Sequence, residues 1–218
     1  MQNQLIRIKV SKNLKGLRNA FTVCIASLML IVAAQIVSAQ EVYRILLPDP
    51  IPSVYLGIAS GINNYSGLIG IAIEAPISPP ISLFGQAGIG TWGTKIGGGF
   101  RYYQNPDLYG SAWSIGYASA SGLTDFEVEM EVENPKRNEM VLLDLEKVST
   151  LNLDYSYNIR IGTKSKISLH LGYAYPLNKG DNYKLKTSGV QLSTTSKQSL
   201  KLIQPGGLLV GLALMLGI

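Results

Sequence analysis

The chain is short of the residues that carry most protein chemistry. Of its 218 residues one is a cysteine, Cys24, and one a histidine, His170. Cys24 lies in an apolar run near the N-terminus, so the rest of the chain has no disulfide framework, thiol nucleophile or thiolate metal ligand. Charged residues make up only 15%, against about a quarter in soluble domains. Low charge together with 12 Tyr excludes a disordered chain. The formal charge of +5 does not describe a nucleic-acid binder either, because it all arises at one end. Arg7, Lys9, Lys12, Lys15 and Arg18 stand among residues 1–39 with no acid, and the remainder holds 14 basic and 14 acidic residues.

That first segment has the three parts of a secretory signal: a basic stretch, an apolar run over 21–39, and small residues in Val37-Ser38-Ala39. Sec-type export with cleavage after Ala39 is expected, in preference to a retained membrane anchor. Phe21-Thr22-Val23 before Cys24 lacks the small residues of a lipoprotein signal. Residues 40–52 are then expected to form a periplasmic lead-in.

Beyond residue 40 no apolar run approaches the 18 or so residues of a helical membrane span, and no helical period stands out. What recurs is alternation, the mark of a strand with two unlike faces. In Leu151-Asn152-Leu153-Asp154-Tyr155-Ser156-Tyr157-Asn158-Ile159-Arg160-Ile161 every odd position is apolar or aromatic and every even one polar. Eight such strands are predicted, at about 53–61, 67–76, 81–92, 94–104, 111–121, 150–161, 166–176 and 207–218.

The second face decides the class. A soluble sandwich or lipocalin-like barrel would crowd it with Lys, Glu and Thr; here it carries mostly Gly, Ala and Ser. Small residues fit the inside of a narrow barrel, and the large ones then point outward, which suits lipid. Closing the sheet satisfies every backbone group, as lipid demands. Short links alternate with two long ones, about 122–149 and 177–206, and both long links fall on the side away from the termini. The expected fold is therefore all-β: an eight-stranded antiparallel up-and-down transmembrane β-barrel over 53–218, its two long outer loops forming protruding β-ribbons.

In pattern, and in stretches such as Val54-Tyr55-Leu56-Gly57, Ser82-Leu83-Phe84-Gly85 and Gln204-Pro205-Gly206-Gly207-Leu208, the chain resembles the small eight-stranded outer-membrane barrels. These are the family of OmpX and the OmpA membrane domain, especially its uncharacterised Bacteroidetes-type members. The resemblance covers about 53–218 and implies a location in a bacterial outer membrane. It departs at the C-terminus, where Leu216-Gly217-Ile218 replaces the aromatic residue with which many such barrels end.

Little in the chain points to catalysis. Gly97-Gly98-Gly99 lies within a strand, with no Walker lysine and no following helix, so it is no phosphate cradle. Ser168 and His170 share a strand face, which raises a barrel-embedded lipid-modifying enzyme as a third reading. The inward charges are Glu74, Lys95, Arg101, Asp154 and Arg160. Of these, Glu74, Arg101, Asp154 and Arg160 are expected to pair as a lumen charge network, since an unpaired buried charge is costly. A narrow pore is the second reading.

The outer loops supply the interaction edge. Asp125, Glu127, Glu129, Glu131 and Glu133 alternate with apolar residues on the first link. Lys184 and Lys186 lie on the basic second link. The two are expected to adjoin, held by burial of Val128, Met130, Val132, Leu185 and Leu192. The first reading is thus a monomeric outer-membrane barrel with a structural or cell-surface interaction role, without enzyme activity or cofactor. Its partners would be outer-membrane lipids and an extracellular protein or surface polymer.

Overall fold

The computed structural model describes residues 51–218 except 134, 135, 179 and 188. The expected signal segment and the lead-in up to residue 50 lie outside the described residues.

Among the described residues eleven strands and one helix follow in chain order. They are β1 (Tyr55–Ile62), β2 (Ile69–Ser78), β3 (Ile81–Gly90), β4 (Gly93–Tyr103), β5 (Gly110–Ala120), β6 (Leu123–Val132), β7 (Arg137–Leu145), β8 (Val148–Ile161), β9 (Ser165–Pro176), β10 (Tyr183–Leu185), α1 (Thr194–Ile203) and β11 (Gly207–Gly217). Eight of the strands, β1–β5, β8, β9 and β11, form a closed barrel in which each pairs antiparallel with the next. The circle closes between the first and last strands, from Tyr55 opposite Gly217 to Ile62 opposite Val210. These are the eight strands read from the alternation, with ends moved by about two residues.

Alternation sets which face is buried. On β8, Asn152, Asp154, Ser156 and Asn158 are buried inside, while Leu151, Leu153, Tyr157 and Ile159 are exposed outside. A one-residue slip would exchange the two sets, so burial holds the register. The same division runs round the barrel, with Ile58, Ile71, Ile89, Ile96, Ile115, Leu171 and Leu212 all exposed on the outer wall.

At the loop end the chain builds a second, smaller body. β6 and β7 form a hairpin, and β10 adds to it in the order β10-β7-β6. The alternate residues Phe126, Val128, Met130 and Val132 turn to a core with Val141, Leu143, Leu145, Leu185, Leu192 and Leu200. Trp92, from the β3–β4 turn, joins this core and donates its indole N–H to Glu146 O at 2.8 Å. That turn is tight: Gly93 has φ +89°, and a Cβ there would lie 2.4 Å from Gly122 O.

The helix was not expected. α1 is ten residues long, buries only Ser196 and Leu200, and so lacks a broad apolar stripe. Its signal is at the ends instead. Ser193 caps it by accepting the Ser196 N–H, and Lys201 stands in its last turn, as helix starts and stops prefer.

The register gives a direct test. Leu153 lies mid-strand, between Ile115 and Tyr173 of its neighbours, on the outer wall. Leu153→Arg should cost about 2–4 kcal/mol if that wall meets the membrane midplane, whereas Asn152→Ser on the inner face should cost far less. Urea unfolding in lipid vesicles measures both; equal losses would mean that the faces are wrongly assigned.

Candidate functional site

The interior polar residues gather in two groups. The first is centred on Glu74 of β2, which accepts from Arg101 Nη1 at 2.7 Å, Lys166 Nζ at 3.0 Å and Ser82 Oγ at 2.8 Å. The Tyr103 hydroxyl also donates to it. Lys166 Nζ is 2.6 Å from the Tyr103 hydroxyl and lies over the rings of Tyr55 and Tyr103, at 4.1 and 4.8 Å from their centroids. Arg101 Nε donates to Ser114 Oγ at 3.0 Å. Glu74, Arg101 and Lys166 are all buried. Bringing each ion out of water costs several kcal/mol, which only this density of hydrogen bonds and opposite charge offsets. The cluster ties together β2, β3, β4, β5 and β9 across the lumen.

The second group lies toward the loop end. Asp154 Oδ2 is 2.8 Å from His170 Nδ1, and its Oδ1 accepts from the Tyr65 hydroxyl at 3.0 Å. Tyr65 belongs to the β1–β2 turn, which dips into the barrel. Its ring stands edge-on to Phe84, with centroids 4.7 Å apart. Small residues on the inner face make this possible. A Cβ on Gly116 would lie 2.8 Å from Tyr65 Cε1, and one on Gly88 would lie 2.5 Å from Ser66 O. The Gly-rich inner face is thus the space into which the turn folds.

Sequence reasoning placed Glu74, Arg101, Asp154 and Arg160 in one network. The structure puts Glu74 and Arg101 together but gives Asp154 to His170 and Tyr65. Arg160 is six residues along β8 from Asp154, about 20 Å at strand rise, which is beyond ion-pair reach. It is exposed at the strand end. There its guanidinium donates to the Gly162 and Thr163 carbonyls and lies 5.0 Å from the Tyr109 ring centroid. Lys166, the second cation on Glu74, was missed. It shares the parity of Ser168 and His170 and stands at the start of β9, so counting that first inward position would have found it.

Ser168 and His170 do not form a nucleophile–base pair. Ser168 Oγ donates to Asn158 Oδ1 at 2.7 Å, while His170 Nε2 has no protein partner among the described residues. Asp154 and His170 can orient and hold a proton, two of the three parts of a hydrolytic relay, but no hydroxyl is aligned on the imidazole.

On the outer sheet Asp125, at a bulge, pairs with Lys186 at 2.7 Å, and Lys186 also reaches Asp144 at 3.1 Å. Lys184 pairs with Glu146 at 2.5 Å, and Glu131 with Lys136 at 3.2 Å. The Asp125 backbone N–H and Lys186 hold the Asp144 carboxyl below the usual Asp range. That tie is complete at neutral pH and is lost only as acid protonates Asp144. Glu127 and Glu129 stand exposed on the same strand, as does Glu133 in the turn beyond it. Compared with protein-family models and with curated proteins, the chain shows no match.

The Glu74 cluster makes an asymmetric prediction. Glu74→Gln strands two buried cations and should cost about 3–5 kcal/mol. Lys166→Met leaves the Arg101–Glu74 pair intact and should cost much less. The double variant should lose less than the two single losses combined. Unfolding midpoints in urea measure all three; strict additivity would show that the cluster does not act as a unit.

Proposed function

We propose that this chain is an integral outer-membrane β-barrel of a Gram-negative bacterium, exported by a Sec-type signal, whose role is structural and whose outer sheet meets surface partners. The observation that carries this reading is the outer wall. Leu, Ile, Val and aromatic side chains cover it on every barrel strand. A soluble monomer rarely exposes a contiguous apolar patch beyond a few hundred Å². The barrel strands are 8–14 residues long, bracketing the 9–11 residues with which a tilted strand crosses a bilayer. On β5 the outer wall carries Trp113, Ile115 and Tyr117, all exposed. No helix among the described residues is long and apolar enough to cross a membrane, so the strands are the crossing elements in this reading.

The lumen supports a sealed barrel rather than a pore, since the Glu74 cluster, Tyr65 and Phe84 fill it. The interaction role rests on the outer sheet. The last two residues of β6 are covered by residues 191–193, through the Val132–Leu192 bridge and Ser193 N–H to Glu131 O at 3.0 Å. Along Phe126–Met130 no strand pairs with the outer edge of β6 among the described residues. A strand of an extracellular protein could add there by main-chain hydrogen bonds, beside the acidic row of Glu127 and Glu129. A cationic surface polymer would use the same row.

Cell fractionation with gel mobility before and after boiling tests the placement. The chain should be found in the outer-membrane fraction and run faster unboiled; recovery in the soluble fraction would overturn the proposal. In planar bilayers the purified barrel should give no stepwise conductance, and regular channel steps would return the pore reading. Protease added to intact cells should cut slowly near Glu131 and Lys186, because Glu131 lies in β6 and Lys186, just past β10, donates its N–H to Leu142 O.

A further inference from the structure

The loop end of the barrel holds a cavity of about 380 Å³, within the range of about 300–1,000 Å³ that small-molecule sites occupy. The β1–β2 and β3–β4 turns, the loop ends of β4 and β5 and the last turn of α1 form its walls. These walls are apolar, with Ile62, Leu68, Trp92, Leu202 and Ile203 among them, and no carboxylate lines them. The one charged residue in the wall is Lys95.

Lys95 differs from the other interior cations. Arg101 and Lys166 share the Glu74 carboxylate. Lys95 is only 6% exposed, yet among the described residues its ammonium has no ion pair and no hydrogen bond. The Lys95 stem is buried while its Nζ keeps some open surface, and the residue lines the cavity; an ammonium in an otherwise apolar wall without an opposite charge favours an anionic ligand. A second anomaly faces the same space. Leu200 of α1 is fully buried, but Leu202, on the cavity side, is 85% exposed. The cavity thus offers one positive charge at an otherwise apolar surface with an uncovered leucine at its mouth.

We propose that this cavity binds a single-chain amphiphile with an anionic headgroup, of the long-chain fatty acid class, with the carboxylate on Lys95 and the chain along Ile62, Leu68, Leu202 and Ile203. A small inorganic anion would gain nothing from the apolar walls. A phosphomonoester lipid would bring about two negative charges to one ammonium. The inference rests on the membrane reading, since the bilayer is the source of the amphiphile.

Photolabelling of the full chain in nanodiscs of zwitterionic phosphatidylcholine tests it. The probes are a palmitic acid carrying a chain diazirine and the corresponding alcohol. The acid should label peptides containing Leu68 and Leu202. The alcohol should label them at least about tenfold less, the loss expected without a charge-assisted hydrogen bond. Lys95→Met should reduce acid labelling by a similar factor, whereas Lys95→Arg should retain it; unboiled gel mobility checks that both variants are folded. Oleate should compete on the native chain, while acetate and inorganic phosphate should not. Equal labelling by acid and alcohol, labelling unchanged in Lys95→Met, or competition by phosphate would each overturn the proposal. Labelling of Ile71 and Leu169 on the outer wall by both probes reports only contact with lipid. If that wall stays unlabelled, the membrane reading fails and the cavity result stands separately.

Discussion

The pairing of β1 with β11 is the contact on which the rest of the molecule depends. Without it, two strand edges would present unpaired N–H and C=O groups, which in lipid cost several kcal/mol each. With it, eight residues on each strand meet in register and the sheet has no edge. Closure also fixes what each face meets. A barrel of eight strands has room inside only for side chains, so the large apolar residues must face out. The apolar wall, the small inner residues and the buried ion cluster are three consequences of one closed circle.

Inside, charge and space are divided by position. The end where β1 begins and β11 ends is held by Glu74 with two cations and two hydroxyls, a group whose members come from four strands. The loop end is held by a turn that folds inward, with Tyr65 seated where Gly116 has no side chain. Buried ion pairs often add little net stability compared with apolar packing. Here they are better understood as setting the relative positions of strands whose small inner residues leave little else to interlock. Lys95, above both groups, has no such partner.

Much of this was legible before any coordinates. The eight barrel strands and the outer hairpin follow from period 2, because each strand faces two unlike surroundings and the residues record both. Val128, Met130, Val132, Leu185 and Leu192 come together for the same reason. What was hidden depended on distance across the chain. Parity places Asp154 and Arg160 on one face but says nothing of the six residues between them. Nor does it show that Lys166, on another strand, lies level with Glu74. The Asp154–Tyr65 bond was out of reach because Tyr65 belongs to a turn, where no period applies. α1 escaped because a ten-residue helix on the edge of a core buries too little to impose a period of 3.6.

Two tryptophans offer the most direct measurement of the central claim, that the outer wall meets lipid. Trp113 stands on that wall at 49% exposure, and Trp92 lies in the outer core at 1%. In vesicles of lipids brominated along their acyl chains, a Trp92→Phe variant reports Trp113 alone, and a Trp113→Phe variant reports Trp92 alone. The account predicts strong quenching of Trp113 and little of Trp92. An unquenched Trp113, or equal quenching of the two, would contradict it.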